Sequence, residues 1–430
     1  MTVAFPLILL LLLLGLGMPI AFALGVSGSI GLFILGGWDL FVGIIQTTPY
    51  DSTANFLFTT IPMFILMAEL MTASGITKDI FTAAHKWLGN LPGGLGIATV
   101  FAGAGLGAVS GSSTAAAATL SASAYPEMKK YGYSTPFSMG VASISGTLAI
   151  MIPPSLVLII YGIMTETGIG SLLIAGIIPG IITALGYVFT IWIWAKIDPK
   201  VAPRVTDKPT WKEKFTSLSG IWPMLVIIFI VIGGIYAGVV TATEAGALGA
   251  FATFIVALAM KRLTFKKLNE ALNRTLKSSA MIMTIVIGAM ILGYFLTATQ
   301  VTQNLVTFVQ DAGYSRWLIL TLVVILYLIL GVFMDQMAIL ILTLPLTFPL
   351  VMSLGFNPIW FGIIVTKTAE IGLVTPPVGM NVFVAAGSAG VKTAEAFKGV
   401  TWFVIADLIL LLILILLPFL STWLPDLMMK

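Results

Sequence analysis

Two stretches built around paired prolines decide how the chain folds: Ser145-Gly-Thr-Leu-Ala-Ile-Met-Ile-Pro-Pro154 and Glu370-Ile-Gly-Leu-Val-Thr-Pro-Pro377. Each lies in a run of residues that is apolar enough for a buried helix. Proline lacks a backbone N–H and clashes with the preceding helical turn, so each pair interrupts its helix and leaves carbonyl oxygens without their usual partner. No other Pro-Pro pair occurs in the sequence. The two stretches therefore predict two broken helices.

The composition is that of a membrane protein. Of 430 residues, 59% are hydrophobic and 9% are charged, whereas a soluble domain carries about 25% charged residues. Apolar runs such as 221–232 and 404–420 lie in stretches of about 20 residues, the length that crosses a lipid bilayer. The sequence therefore predicts an all-α polytopic membrane protein with about eleven spanning helices. No cationic face is interleaved with exposed aromatic residues, so we expect no nucleic-acid partner.

The basic residues are concentrated in three places, at Lys129-Lys130, in the loop 196–214 and in the stretch 261–277. By the positive-inside rule, these segments are expected on the cytoplasmic side. The sequence starts with an apolar stretch that lacks a small-residue cleavage site. We interpret residues 6–24 as a retained first spanning helix, preceded by an external N-terminus.

The surroundings of the two Pro-Pro pairs are related. Pro126 precedes Pro153 by 27 positions, and Pro349 precedes Pro376 by the same 27 positions. The matching distances predict a duplication of the chain. The predicted organisation is a first repeat at 1–195, a cytoplasmic connector at 196–217 and a second repeat at 218–430.

The two copies are predicted to have opposite orientations. The segment 127–134 of the first copy contains Lys129 and Lys130, whereas its counterpart, 352–357, contains no charged residue. This asymmetry predicts that the first segment is cytoplasmic and the second external. Inverted repeats are typical of secondary transporters, in which substrate and ion sites lie near the middle of the membrane where the repeats meet.

A second kind of interruption precedes each Pro-Pro pair. Ser110-Gly-Ser-Ser-Thr114 and Met334-Asp-Gln336 each lie between two short apolar arms, which predicts two re-entrant hairpins. Irregular backbone at this depth persists only when it is buried in protein or lines a wet cavity. Unpaired carbonyls and hydroxyls suit a hard cation such as Na⁺, and helix N-termini attract an anion. The alternative is that the small residues only allow close helix packing.

Short stretches along nearly the whole chain carry a resemblance to a known family. They are Gly17-Met-Pro-Ile-Ala-Phe22, Ile61-Pro-Met-Phe-Ile65, Ala108-Val-Ser-Gly-Ser-Ser113, Ile152-Pro-Pro-Ser155, Ile178-Pro-Gly180, Thr243-Glu-Ala245, Met334-Asp335, Trp360-Phe-Gly362 and Glu370-Ile-Gly-Leu-Val-Thr-Pro-Pro-Val-Gly379. In this order and spacing, the chain resembles the large membrane (M) subunit of the tripartite ATP-independent periplasmic (TRAP) transporters.

The resemblance implies an elevator-type secondary transporter that moves an organic acid across the bacterial inner membrane, driven by Na⁺. It implies two partners, a small membrane (Q-type) subunit and a periplasmic substrate-binding protein. Sialic acid and C4-dicarboxylates are both within the family's range of substrates, and no residue decides between them. A channel and a stand-alone carboxylate carrier are the alternatives.

The resemblance also implies roles for individual residues. Lys367 has two interpretations: an ion pair with Glu370, one helical turn further on, or a contact with the substrate carboxylate. Asp335 is costly inside a membrane unless it is paired or functional, and it could also cap the following helix. The implied sodium ligands are Ser110, Gly111, Ser112, Gly146, Met334, Asp335, Gly372 and Thr375, with Thr147 beside the first site, and the implied substrate-binding residues are Ser145, Thr147, Lys367, Thr375 and Asn381.

The motifs disfavour an enzyme. His85 is the only histidine, and it lies in a segment that predicts an interfacial amphipathic helix rather than a nucleophile–base pair. No Gly-Lys-Ser/Thr phosphate-binding loop is present, which excludes a P-loop ATPase. We therefore expect a transporter.

Overall fold

The computed structural model describes residues 3–204 and 209–428, except for the side chains of residues 77–78 and 108–110. Within these ranges the regular structure consists of 21 α-helices and one short 3-10 helix, Phe56–Thr59, without a strand. The prediction of an all-α protein is confirmed.

The helices form two series along the chain. The first series is α1 (Ala4–Gly15), α2 (Ile20–Ala54), α3 (Thr60–Ala73), α4 (Ile76–Leu88), α5 (Gly94–Ser110), α6 (Ser113–Lys130), α7 (Thr135–Met151), α8 (Leu156–Thr165), α9 (Ile169–Ala175) and α10 (Ile177–Ile197). A short helix, α11 (Trp211–Leu218), ends the predicted connector. The second series is α12 (Trp222–Tyr236), α13 (Ala242–Ala259), α14 (Phe265–Ala298), α15 (Val301–Asp311), α16 (Arg316–Phe333), α17 (Gln336–Ser353), α18 (Pro358–Gly372), α19 (Met380–Ala389), α20 (Thr393–Leu416) and α21 (Phe419–Met428).

The N-terminal segment contains two helices where the sequence predicted one over 6–24. α1 ends at Gly15, the backbone turns at Gly17 with φ +81°, and α2 begins after Pro19. The prediction was wrong because proline drives the residue before it out of the helical region, and glycine adopts the left-handed turn without steric cost. α1 has 12 residues and is about 18 Å long, shorter than the hydrocarbon core of roughly 30 Å.

Nine helical segments in the described ranges are long and apolar enough to cross a membrane, or ten if the bent pair α11 and α12 forms one span. This is fewer than the expected number of about eleven, because the apolar helices α1, α5 and α19 are short. The nine include α16 and α17, which the sequence predicted as the arms of a hairpin. The chain has the helices of a multi-pass membrane protein.

The helices pack into two groups, and each group draws on both series. The first, the scaffold group, contains α1–α3 and α12–α14. In it, α2 and α14 approach so closely that a Cβ on Gly28 would lie 2.7 Å from the backbone nitrogen of Leu292. The second, the core bundle, contains α5–α10 and α16–α21. α4 packs on α5 and on α3, and α15 packs on α17 and on α14, so these two amphipathic helices connect the groups.

The core bundle contains the same series of elements twice. α5 and α6 meet at a short break and are followed by α7, a Pro-Pro break and α8. α16–α19 repeat this series with 18, 18, 15 and 10 residues, against 17, 18, 17 and 10 in the first copy. This order agrees with a duplicated chain, and the boundaries of the repeats stay predictions.

The three basic segments lie together at one end of the molecule, around α4. We term this the basic end. Three contacts join the segments there: the N–H of Ser134 donates to the carbonyl of Val201 at 3.0 Å, the indole N–H of Trp87 donates to the carbonyl of Lys214 at 3.0 Å, and Asp79 forms an ion pair with Arg262.

The other end of the molecule is formed by the end of α8, the start of α18 and the end of α20. Tyr161 donates its hydroxyl to the carbonyl of Pro358 at 2.7 Å, and Trp360 donates its indole N–H to the carbonyl of Leu414 at 2.9 Å. α6 ends at the basic end, whereas α17 ends at this opposite end. The second helices of the α5–α6 and α16–α17 pairs therefore end at opposite ends of the molecule, and the re-entrant character of the two pairs stays a prediction.

Candidate functional site

The break between α5 and α6 forms a tight tip. Gly111 is left-handed, with φ +56°, and Ser112 caps α6 by accepting a backbone N–H of its first turn at 3.4 Å. A Cβ on Gly111 would lie 3.1 Å from Cγ of Leu156, so the tip touches the start of α8. Thr114 donates its hydroxyl to Oδ1 of Asn381 at 2.9 Å, at the start of α19. The first tip therefore contacts the helices that follow both Pro-Pro breaks.

The break between α16 and α17 is capped by a carboxylate. Asp335 accepts hydrogen bonds from the N–H groups of Met337 and Ala338 at 3.0 and 3.2 Å, the geometry of an N-cap. The next residue, Gln336, is buried, and its Nε2 has no hydrogen-bond partner among the described residues. A buried donor without a partner is costly, so this tip presents a donor suited to an acceptor from outside the chain.

Both tips open into one cavity of about 640 Å³ between the core bundle and the scaffold group. The first residues of four helices, α6, α8, α17 and α19, line this cavity. Helix N-termini carry partial positive charge and unpaired N–H groups, so four of them around one space favour an anion. These first residues are Ser113, Leu156, Gln336 and Met380.

The cavity extends from the tips toward the basic end. Its walls on that side include Thr119 on α6, Thr72 at the end of α3 and Arg274 near the start of α14. Glu69 lies beside Arg274, with Oε2 of the carboxylate 3.7 Å from Nη1 of the guanidinium. Among the described residues that line the cavity, the charged ones are these two and Asp335. The cavity thus contains one cation and two carboxylates.

At the break between α18 and α19, other backbone N–H groups bond the two carbonyls that lose their helical donors to the Pro-Pro pair. Neither proline has an N–H for the carbonyls of Gly372 and Leu373, four residues earlier. Instead, Gly372 accepts from the N–H of Thr375 at 3.0 Å, and Leu373 accepts from the N–H of Asn381 at 3.0 Å. A carbonyl oxygen has a second lone pair, so both can still bind a cation.

A buried polar network joins the two Pro-Pro helices to α10 and α20. Lys367 donates to Oδ1 of Asp407 at 2.7 Å, and the hydroxyl of Tyr187 donates to the same oxygen at 2.8 Å. The Tyr187 hydroxyl lies 3.1 Å from that of Thr147, and Nζ of Lys367 lies 3.5 Å from Oε2 of Glu370. All five side chains are fully buried. A buried charge is tolerated only when it is paired, so Asp407 compensates Lys367.

The sequence matches a family profile described as "Tripartite ATP-independent periplasmic transporter, DctM component" over residues 7–420. The chain belongs to this family. The "C4-dicarboxylate TRAP transporter large permease protein DctM" of Pseudomonas aeruginosa is 34% identical over 406 residues, which cover 94% of each chain. The "Sialic acid TRAP transporter large permease protein SiaM" of Vibrio cholerae is 29% identical, with 96% of this chain and 95% of the relative covered. The resemblance found in the sequence is confirmed, and this DctM-family chain is a transporter permease subunit rather than an enzyme.

A solved structure shares the fold of the DctM-family chain. It is the Alcanivorax borkumensis YdaH transporter, with a TM-score of 0.62 and 13% identity, covering 89% of this chain and 88% of that chain. At so low an identity the likeness concerns the fold alone.

The cavity contains part of the site that the sequence of this DctM-family chain predicted. Gly111, Ser112 and Asp335 line it, and Asn381 contacts it through Thr114. The predicted ligand Ser110 has a side chain that lies outside the described residues. The other predicted residues are not among those that line the cavity, and their roles stay predictions: Ser145, Gly146, Thr147, Met334, Lys367, Gly372 and Thr375.

Two predicted sodium ligands, Gly146 and Gly372, mediate close helix packing. A Cβ on Gly146 would lie 2.6 Å from the backbone nitrogen of Ala117 on α6, and a Cβ on Gly372 would lie 2.4 Å from Cα of Gly331 on α16. Each Pro-Pro helix is therefore held against a hairpin arm of its own half. This geometry supports the packing interpretation for both glycines and leaves their carbonyl oxygens able to coordinate an ion.

Two predicted hydroxyl ligands are engaged within their own helices. Ser145 donates to the carbonyl of Val141 at 2.7 Å, and Thr375 donates to the carbonyl of Ile371 at 2.6 Å. A hydroxyl that donates one hydrogen bond keeps its lone pairs. Both oxygens therefore remain chemically able to act as ligands.

Lys367 lies in the ion-pair network and away from the lining of the cavity, which supports its interpretation as a paired charge. Glu370 is its expected neighbour, but Asp407 is the closer one and was not predicted from the sequence. A signal was available, because Asp407 interrupts the apolar run 404–420 and a carboxylate in a membrane-spanning helix is paired or functional by default. Glu69 and Arg274 were missed as well.

Proposed function

We propose that the chain is the translocating subunit of a sodium-coupled transporter that moves an organic acid of the C4-dicarboxylate or sialic acid type across the bacterial inner membrane. The observation that carries this proposal is the convergence of both hairpin tips and four helix N-termini on one cavity. The N-termini favour the carboxylate of such a substrate. The relatives named above are named for carboxylates.

Sodium would bind at the hairpin tips, beside the substrate. The groups there are hard oxygen donors: backbone carbonyls at the breaks, the hydroxyl of Ser112 and the carboxylate of Asp335. Asp335 accepts both of its capping hydrogen bonds through Oδ1, and a carboxylate has a second oxygen for a cation. This donor set fits Na⁺, whose gradient supplies the driving force for uptake.

Movement of the core bundle against the scaffold group would carry the substrate. Hairpins that enter from opposite ends and meet at one cavity are the arrangement expected of inverted repeats with re-entrant tips. The cavity extends toward the basic end, which the positive-inside rule places in the cytoplasm. Under this proposal, the cavity would open toward the cytoplasm, as in an inward-facing state.

A small membrane subunit and a periplasmic binding protein would complete the transporter, as the family's tripartite and periplasmic description implies. The binding protein would deliver the acid to the external face of the core bundle. The small subunit would extend the scaffold group, which gives the moving bundle a larger stationary surface to act against.

The test is uptake of labelled succinate or sialic acid into proteoliposomes. We expect uptake only when the chain is combined with its small subunit, the loaded binding protein and an inward Na⁺ gradient. Full uptake by the chain alone would indicate a stand-alone carrier. Flux that ignores the Na⁺ gradient would indicate a channel.

A further inference from the structure

The scaffold wall of the cavity contains an ion pair that the proposed function does not use. Glu69 on α3 and Arg274 on α14 are 3.7 Å apart, and their side chains are 26% and 60% exposed. This distance exceeds that of a hydrogen bond, so the two groups attract each other by charge alone. A partly exposed pair of this kind contributes little to stability, and it can therefore open and re-form readily.

Arg274 is the one cation among the described residues that line the cavity. Its guanidinium presents five N–H donors in a planar fork that matches the two oxygens of a carboxylate. Ser278 lies one helical turn further along α14 and adds a hydroxyl to the same wall. This wall lies between the helix N-termini at the tips and the basic end.

We propose that Arg274 binds the substrate carboxylate on the release side of the cavity and that Glu69 competes with the substrate for the same guanidinium. This inference rests on the proposed function and deepens it, because it adds a contact on the scaffold group to those on the moving bundle. An arriving carboxylate displaces Glu69. When the substrate leaves, Glu69 returns to Arg274 and weakens rebinding from the cytoplasm.

The test compares Arg274→Gln with Glu69→Gln in the complete transporter, with the binding protein added only outside the liposomes. The liposomes are loaded with unlabelled succinate or unlabelled sialic acid, and uptake of the same acid in labelled form is followed from outside. The quantity measured is the internal concentration of unlabelled acid that halves net uptake. Arg274→Gln should raise this concentration about tenfold, because it removes a charge-assisted contact. Glu69→Gln should lower it severalfold, since the competitor is lost.

Two further variants sharpen the comparison. Arg274→Lys keeps the positive charge but lacks the planar guanidinium fork. Its half-inhibiting concentration should therefore lie between those of the wild type and Arg274→Gln. Arg262→Gln is the matched control, because Arg262 pairs with Asp79 at the basic end but does not line the cavity. It should leave the half-inhibiting concentration unchanged.

A merely structural ion pair would give a different pattern. Arg274→Gln and Glu69→Gln would then change the half-inhibiting concentration in the same direction and would both lower thermal stability. This result would overturn the proposal, and so would an unchanged half-inhibiting concentration in both variants. If Arg274→Gln fails to assemble, the direction in which Glu69→Gln changes the half-inhibiting concentration decides the test: a decrease supports the proposal, and an increase or no change overturns it. Absence of Na⁺-dependent uptake by the wild type would contradict the proposed function instead.

Discussion

Asp335 has two tasks at a single position, because it caps α17 and lines the cavity. Asparagine caps helices about as well as aspartate, so Asp335→Asn should keep the fold and remove only the charge. If the carboxylate binds Na⁺, the Na⁺ concentration for half-maximal uptake should rise more than about tenfold, since contacts to charged groups are the stronger ones. The measurement is uptake against external Na⁺ in proteoliposomes that contain all three components.

Ser112→Ala is the neutral comparison at the other tip. It removes a hydroxyl without adding bulk, and a neutral contact is worth about 1 kcal/mol, so the half-maximal Na⁺ concentration should rise by up to about tenfold. Because Ser112 also caps α6, the thermal stability of this variant is measured in parallel. Unchanged Na⁺ dependence in both variants would place the ion sites elsewhere and leave the tips as packing devices.

The buried network makes a prediction about stability. Lys367→Met leaves the carboxylates of Asp407 and Glu370 buried without a cation, and removal of one partner from a buried ion pair costs about 3–5 kcal/mol. Asp407→Asn should cost less, because Glu370 remains 3.5 Å from the ammonium. The double variant that combines Lys367→Met with Asp407→Asn should recover part of the stability that Lys367→Met loses. Thermal unfolding of the purified variants measures this, and equal losses in the two single variants would contradict it.

At the scale of the elements, the breaks inside the core bundle followed from local rules. Paired prolines remove backbone donors, and Ser112 and Asp335 belong to the residue types that cap helices best. The break between α1 and α2 was missed because the apolar composition continues across 6–24. The break there depends on Gly17 and Pro19 alone, and two residues change the average composition of the segment too little to indicate a break.

The candidate site was harder to predict, because its walls come from helices far apart in the sequence. Which face of α14 meets the cavity is decided by the packing of this helix against α2 and α3, and the sequence does not show that packing. Glu69 and Arg274 therefore could not be paired from the sequence. Likewise, the contact of Lys367 with Asp407 requires the packing of α18 on α20.

The position of α4 supports the predicted topology, because contacts around this helix bring the three basic segments together at one end of the molecule. The chain contains no cysteine, so single cysteines can be labelled cleanly. Arg204→Cys should react with an impermeant maleimide only after the cells are permeabilised. Asp311→Cys, exposed at the end of α15 near the opposite end, should react in intact cells. Labelling of position 204 from outside would refute the orientation.

At the scale of the whole molecule, the two halves meet in the buried network. The Pro-Pro pairs are 223 positions apart (376 minus 153), which makes Glu370 the counterpart of Thr147. Both belong to the network, and they flank the contact between Tyr187 on α10 and Asp407 on α20. Polar contacts thus tie the halves of the core bundle to each other, which suits a bundle that moves as one body.

If the core bundle moves against the scaffold group, a bridge between the groups should stop transport, and a bridge within the bundle should not. A Cβ on Gly105 of α5 would lie 3.3 Å from Sδ of Met224 on α12, so cysteines at these positions face each other across the groups. Gly186→Cys with Leu410→Cys is the matched control, because a Cβ on Gly186 would lie 2.8 Å from Cδ1 of Leu410 and both helices belong to the bundle. We expect mercuric ion to abolish uptake in the first pair only, with recovery after excess dithiol. Uptake that persists in the first pair after both thiols have been consumed would show that transport does not require this movement.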